Sequence, residues 1–561
     1  MLVRLLAGCL TLAVLLTACG APVPQTGVSG PGAASSSSGT AATSGGSAPA
    51  GSSAPAPAKA AAPATPTRGG TFKMAVISDP IPYQFTLPGG GSSAMATKTL
   101  YNMLTRFGKE DQSAQPDLAT KWEPSDNGRV WTFFLRKDVK WHDGQPFTAD
   151  DVVFTYEKMV AKDSNAYSRS NFVTLEKVEA IDTYTVKMSF KEPYASLPVM
   201  TAYIAAIIPK HLLQNQDVNR PTEFLKNPIG TGPFKFKEFV PGDRLVVVAN
   251  EEYHEGRPNL DSIIFRVMPD INTQVAQVTT GELDLAFPDP AALPALVGAT
   301  HLEIRNGEQI QYIYIGVNHT LPQFSDKRSR QAMAYALDTK AIIDQVFQGR
   351  AIQGSTPISP FVKWAYNKDV KKYAYNPDQA KQLLSAAGWT PGSDGVLTKD
   401  GNKFKFTLVI SKGNPTLEQI ATIAQQQYKK VGIDLSIEIR EYNQAIAAMR
   451  ESKFEATMTA PFILPPDPDI FGYYGTGVSR NYWKYSNPDL DKLLLEGNRV
   501  VDLKQRTEIY HKVQDIIADD QPIIMIGFPY EVQAVNKRVQ GLPNLGMRDA
   551  MLYAREIFVT K

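Results

Sequence analysis

At 561 residues with a net charge of +2, the chain is long enough for two or more domains and has no charge excess aimed at nucleic acid. Its two cysteines, Cys9 and Cys19, both lie within the first nineteen residues. Disulfides, cysteine-ligated zinc and a thiol nucleophile are therefore excluded from Gly20 onward.

Arg4 precedes an apolar run from Leu5 to Leu16 that ends at Leu16-Thr17-Ala18-Cys19. A run of about a dozen residues is short for a membrane span, which needs roughly 20, and fits the apolar region of a secretory signal. Leu-Thr-Ala-Cys resembles the bacterial lipobox, which implies lipidation at Cys19 and residues 1–19 as a lipoprotein signal. From Gly20 to Thr67 the sequence is almost wholly Ala, Gly, Ser, Thr and Pro, with Lys59 its one charge. Such a segment cannot bury enough apolar surface to offset its ordering entropy, so a disordered tether is expected over 20–67. As a coil of about 48 residues it would span on the order of 40 Å.

Structure is expected to begin at Arg68, with β-prone residues from Thr71 to Val76. Asp79 to Ser93 reads as loop, and Thr97 to Phe107 has helical apolar spacing. Val130–Leu135 reads as a strand and Trp141-His142-Asp143-Gly144 as a turn. Thr148 is a plausible N-cap for a helix over Val152–Val160, with Asp150 and Asp151 in its first turn. Thr183–Phe190 and Phe234–Val248 alternate as half-buried strands do. Later come a helix at Ser329–Phe347, a strand at Phe404–Ser411, a helix at Thr416–Val431 and a strand at Ile433–Arg440. That alternation predicts an α/β lobe with a largely parallel sheet. A long helix at Asp502–Asp519 and an apolar strand at Ile523–Phe528 follow.

A dozen short motifs carry a family resemblance. They include Pro116-Asp117-Leu118-Ala119 with Trp122, Phe133–Gly144, Phe147–Val152 and Gly230-Thr231-Gly232-Pro233-Phe234. Asn250, Tyr253, Gly256 and Pro258, then Gly281–Asp284, Arg328–Ala332 with Asp338, Asp467-Pro468-Asp469 and Asn487–Asp491 continue the series. In order and spacing the chain resembles the extracellular solute-binding proteins of the peptide/nickel/oligosaccharide type, family 5, which feed ABC importers. The resemblance implies an α/β, two-lobed periplasmic-binding-protein fold of class C with an extra subdomain in the first lobe. The expected division is 68–317 for lobe I, with the subdomain at about 110–230, then 318–528 for lobe II and 529–561 for the return to lobe I. It also implies a monomer outside the cytoplasmic membrane, with an ABC permease and ATPase as partners and no cofactor.

Carried over by position, the ligand contacts are Gly91 and Ser92; Ser411, Lys412 and Asn414; Tyr442; Phe462, Leu464 and Asp467; and Tyr482 and Trp483. The rings at Tyr473, Tyr474, Tyr482, Trp483 and Tyr485 suit peptides, sugars and aromatic solutes alike. An oligopeptide is the expected ligand, with an oligosaccharide or other uncharged solute as the alternative. The alternative rests on Leu464, which stands where peptide-binding relatives place the aspartate that pairs with the peptide ammonium. A leucine cannot balance that charge unless Asp467 or Asp469 substitutes. No Gly-x-Ser-x-Gly elbow or His-Glu-x-x-His is present, so a secreted hydrolase is disfavoured. His142 beside Asp143 has no nucleophile nearby and reads as turn architecture, as do Gly230, Gly232 and Pro233.

Overall fold

Alternate residues of Thr71–Val76 bury Phe72 and Met74 in one core and Ala75 in another, which makes this strand the middle of a sheet. The computed structural model describes residues 65–83, 85, 91–203, 206–459, 462–463 and 467–560. The signal, Cys19, nearly all of the expected tether and Leu464 lie outside the described residues.

Thr71–Val76 pairs in parallel with Ser262–Val267 and with Leu285–Ala286. Around them a seven-stranded sheet runs Leu302–Gly307, Glu531–Asn536, Leu285–Ala286, Thr71–Val76, Ser262–Val267, Arg244–Ala249, Phe234–Val240. Glu531–Asn536 reaches this sheet from the far end of the chain and lies between two strands antiparallel to it. Arg538 locks that return: its guanidinium donates to both oxygens of buried Asp284, at 2.6 and 2.9 Å.

A four-stranded antiparallel sheet, in the order Ala119–Ser125, Val130–Leu135, Thr185–Phe190, Leu175–Asp182, forms a subdomain with the helix Ala149–Val160. The helix starts where its cap signal lies, because Thr148 and Asp151 form a capping box. Asp151 also accepts from the backbone N–H of Lys210 at 3.0 Å and from the indole of Trp141 at 3.3 Å.

The helix expected from Thr97 to Phe107 instead runs Gly91–Leu100 and gives way to a strand at Thr105–Phe107. Its end is fixed by the Gly-Thr-Gly motif. Gly232 N–H donates to the Leu100 carbonyl at 2.8 Å, and Thr231 accepts from Asn102 N–H at 3.2 Å. A Cβ on Gly230 would sit 1.8 Å from the Leu100 oxygen, and one on Gly232 2.5 Å from the Leu100 carbonyl carbon. These glycines serve close backbone approach rather than a turn, and neither has positive φ. His142 holds the motif from the other side. Gly230 N–H donates to its Nδ1 at 3.1 Å, which leaves Nε2 to donate to the Gly232 carbonyl at 3.0 Å. Burial pushes the imidazole pKa down to about 4, and Asp143 pairs with His211 at 2.8 Å rather than with His142.

The second large sheet runs Ala351–Gln353, Ile523–Pro529, Gln311–Val317, Ala456–Met458, Lys405–Ser411, Asp434–Arg440. It is covered on both faces: Ile313, Ile315 and Val317 enter one core, and Tyr312 and Tyr314 the other. The largely parallel sheet expected here is mixed. Lys405–Ser411 pairs in parallel with both of its neighbours, whereas Gln311–Val317 is antiparallel to Ile523–Pro529 and to Ala456–Met458. The strand that follows the long helix Leu503–Asp520 inserts beside Gln311–Val317 in the opposite sense. The helix expected over Ser329–Phe347 is two helices, Lys327–Ala336 and Thr339–Val346. Leu337 leaves helical geometry, and Asp338 caps the second helix by accepting from Ala341 N–H at 2.9 Å.

The chain passes between the two sheets at 308–310 and again at Tyr530. The first passage lies ahead of the boundary expected at 317, because Gln311–Val317 belongs to the second sheet. Gln309 ties the two passages together by donating to the Pro529 carbonyl at 3.3 Å.

Candidate functional site

The segment after Ile463 is anchored by one buried ion pair. Arg506, on the helix Leu503–Asp520, donates to both oxygens of Asp467 at 2.8 Å, and both side chains are almost fully buried. The guanidinium also donates to the Gly497 carbonyl at 3.0 Å and lies over the rings of Trp364 and Tyr510. Bidentate geometry and the further bond from Nε help such a buried pair offset its desolvation. Two residues on, Asp469 accepts from Asn498 Nδ2 at 2.9 Å and from Phe471 N–H at 3.4 Å, both at Oδ1. Burial raises its pKa, and the neighbouring Asp467 adds to the rise.

Asp469, Phe471, Tyr473, Arg480 and Asn498 form one wall of a cleft of about 580 Å³. The opposite wall comes from the first lobe's subdomain: Ser170, Asn171, Val173, Glu192 and Tyr194. Two direct bonds cross between the walls. Arg480 Nη2 donates to Ser170 Oγ at 2.8 Å, and Ala195 N–H donates to the Asn498 carbonyl at 3.0 Å. The volume falls in the range of small-molecule sites, and the lining mixes rings, amides and charges. Because each wall belongs to a different lobe, a ligand held here is held only when the lobes approach.

The residues expected to touch ligand are dispersed, and among the described residues none of them lines this cleft. Gly91 is exposed at the start of its helix, whereas Ser92 is buried and accepts from Ser78 Oγ at 3.1 Å. Ser411 is buried and donates to the Thr459 carbonyl. Lys412 pairs with Glu441 at 3.0 Å on the surface, and Asn414 caps the helix Pro415–Lys429 by accepting from Leu417 N–H at 3.2 Å. Tyr442 is exposed at the first position of its helix. Phe462 is fixed through its backbone, pairing with Tyr312. Tyr482 is half-buried, but Trp483 is 1% exposed and packs on Tyr314 and Phe454. Gly316 makes room for that indole, since a Cβ there would lie 2.2 Å from the ring.

Sequence reasoning missed Arg480, Asn498 and the subdomain wall. The signal the sequence carries is Asp469, the second acid of Asp467-Pro468-Asp469. Among the described residues no group of His, Cys, Asp and Glu is placed to hold a metal ion, and no helix is long and apolar enough to cross a membrane.

Two α/β lobes joined by paired crossings, with a cleft walled by both, define a solute-binding protein of the two-lobed periplasmic class. The chain belongs to the bacterial extracellular solute-binding proteins, family 5, the receptors of ABC importers; the family model (Middle region) matches residues 113–483. It is 33% identical to the oligopeptide-binding protein AppA of Bacillus subtilis (strain 168) over 494 residues, covering 86% of this chain and 91% of that one. It is 27% identical to the dipeptide-binding protein of Escherichia coli (strain K12) over 469 residues, covering 79% and 86%. The structure of Bacillus subtilis AppA in complex with a nonapeptide superposes with a TM-score of 0.73 at 32% identity, covering 89% of this chain and all (100%) of that one. The Helicobacter pylori protein DppA in complex with the peptide STSA superposes with a TM-score of 0.71 at 26% identity, covering 88% and 99%.

Proposed function

We propose that this protein is a lipid-anchored, monomeric receptor on the outer side of the cytoplasmic membrane that closes over an oligopeptide and presents it to an ABC permease. The observation that carries the reading is the cleft of about 580 Å³ with one wall from each lobe. Ligand contacts made to both walls exist only in the closed form, so binding shifts the population toward it. The permease then reads a shape rather than the solute itself. The crossings at 308–310 and Tyr530 are where that closure pivots. Likeness to proteins named for oligopeptide and dipeptide binding supports a peptide as the solute.

Anchoring rests on Leu16-Thr17-Ala18-Cys19 and on the polar, charge-poor composition of 20–67, which would hold the receptor near the membrane without fixing its orientation. Of the expected contacts, Gly91, Lys412, Asn414, Tyr442 and Tyr482 keep accessible surface, but none of them lines the cleft, so in this reading the ligand is held by the cleft walls. A second reading, an oligosaccharide or other uncharged solute, is favoured by Leu464. No catalytic step is assigned.

Mass spectrometry of the solute that co-purifies from the native cell envelope tests the reading. Recovery of peptides, with small-angle scattering showing compaction on rebinding them, is the expected result. Recovery of a sugar favours the second reading, and turnover of added peptide overturns the receptor role.

A further inference from the structure

A second cavity, of about 450 Å³, lies in the second lobe. It is walled by the helix Pro377–Ala386, the end of the helix Pro415–Lys429 and the antiparallel strands Thr390–Pro391 and Leu397–Lys399. No residue lines both this cavity and the cleft. Its floor is apolar: Leu384, Trp389, Leu397 and Val431 belong to the lobe's core, and each is at most 7% exposed. The indole N–H of Trp389 is spent on buried Ser329 Oγ at 3.1 Å, so the ring has no donor left for the cavity. The strand wall is fixed, since Leu397 N–H donates to the Gly432 carbonyl at 2.8 Å. The rim is basic. Lys381, Lys429 and Lys430 line it, all three exposed, and no carboxylate does. None of the three is in an ion pair among the described residues, although Lys403 on the neighbouring strand pairs with Asp394 at 2.6 Å. Lys429 and Lys430 close a helix, where the dipole favours cations. That reason does not reach Lys381, the fifth residue of a ten-residue helix. The whole chain has a net charge of only +2, so three cations around one opening are a local feature.

Three ammoniums around one opening repel one another, and an anion seated among them relieves that repulsion. An apolar floor below them suits a ligand that is not an anion throughout. We propose that this cavity is a second binding site, for a phosphate monoester carried on an apolar or aromatic body. The body rests on Leu384, Trp389 and Val431, and the phosphate meets the ammoniums at the rim. A phosphate monoester carries about 1.5 to 2 negative charges at neutral pH and three acceptor oxygens, so it matches three lysines better than a carboxylate does. Lysine binds phosphate as a point charge and needs no fixed fork to do so. Such a group comes free, as an aryl phosphate, or as the head of a lipid, as in phosphatidic acid. The site stands apart from the receptor reading, because no cleft residue takes part in it.

The test is calorimetric titration of the full chain with naphthyl phosphate, naphthol and inorganic phosphate. Naphthyl phosphate should bind about 10-fold or more tighter than either of the others, since each of those lacks one half of the contacts. Each of Lys381→Gln, Lys429→Gln and Lys430→Gln should weaken it by about 2- to 5-fold, the range of a partly screened ion pair. Rising salt should weaken it in the wild type. Arg480→Gln, in the cleft, should leave it unchanged. Dihexanoyl phosphatidic acid, kept below its micelle concentration, separates the two sources: binding tighter than naphthyl phosphate assigns a lipid, and weaker binding a free aryl phosphate. Melting curves check that the variants fold; if one does not, the salt and fragment comparisons on the wild type still decide. Equal affinity for naphthol and naphthyl phosphate overturns the proposal. So does loss of binding in Arg480→Gln with the lysine variants unaffected, which puts the phosphate in the cleft. Failure of the wild type to bind either phosphate monoester overturns it as well.

Discussion

Arg506 grips Asp467 through two hydrogen bonds of 2.8 Å across 39 residues of sequence, and nearly all of both side chains is buried. That pair pins the segment carrying Asp469 to the helix Leu503–Asp520, and so places one wall of the cleft. It also takes up both oxygens of Asp467, a residue the sequence offered as a ligand contact.

Removing one partner leaves the other charge buried without compensation. Arg506→Met should therefore destabilise the protein by about 3–5 kcal/mol. Adding Asp467→Leu should recover a substantial part of that loss. Urea unfolding of the two variants checks this, and an equal loss in both would show that the pair contributes through packing alone.

The glycines of Gly230-Thr231-Gly232 and of His142-Asp143-Gly144 should respond differently to alanine. At Gly230 the added Cβ would meet a backbone oxygen at 1.8 Å, and backbone cannot rotate away as a flexible side chain can. Gly230→Ala is expected to cost more than about 3 kcal/mol or to abolish soluble expression. Gly144 has a φ of +91° with nothing within 4 Å of its missing Cβ, so only backbone strain opposes a side chain. Gly144→Ala should cost about 1–2 kcal/mol. Melting temperatures of the two variants settle the ranking.

Acid should weaken the fold through histidines buried in neutral form. His142 and His254 titrate near 4 and His319 near 3, each depressed chiefly by burial. The unfolded chain then binds more protons than the folded one, so stability falls as pH drops from about 6.5 toward those values. Asp117 acts in the opposite sense: burial raises it to about 6, so its protonation favours the folded state between about 6 and 3.8. Asp151, Asp289, Glu308, Asp469 and Glu531, each raised chiefly by burial, act with Asp117, so the histidine contribution is tested on one residue rather than on the sum. For His142 alone the loss from pH 7.5 to 5 is about 2 kcal/mol. Denaturation of wild type and His142→Gln across this range should show the gap between them narrowing by that amount, and a constant gap would refute the assignment.

Lipid anchoring makes its own prediction. Cys19→Ala should shift the protein from the membrane fraction to the soluble fraction, or leave it as an unprocessed precursor. Mass spectrometry of the mature wild-type N-terminus should find acyl chains on Cys19.

Much of the local structure was legible because it depends on near neighbours. The capping box at Thr148 and Asp151, the strand Val130–Leu135 and the long helix near 503–520 follow from periodicity and cap chemistry within a few residues. Where a distant partner intervened, the reading slipped. The first helix stops at Leu100 because Gly232 bonds to its carbonyl, and the second sheet is mixed because Ile523–Pro529 inserts against Gln311–Val317. The order and spacing of the family's motifs carried the two-lobed fold and the receptor class. No residue pattern could place Ser170 opposite Arg480, or show that Arg506 takes both oxygens of Asp467. Those relations join residues tens to hundreds of positions apart, and a hydrogen bond about 3 Å long forms only once the distant segments that carry its two partners are folded together.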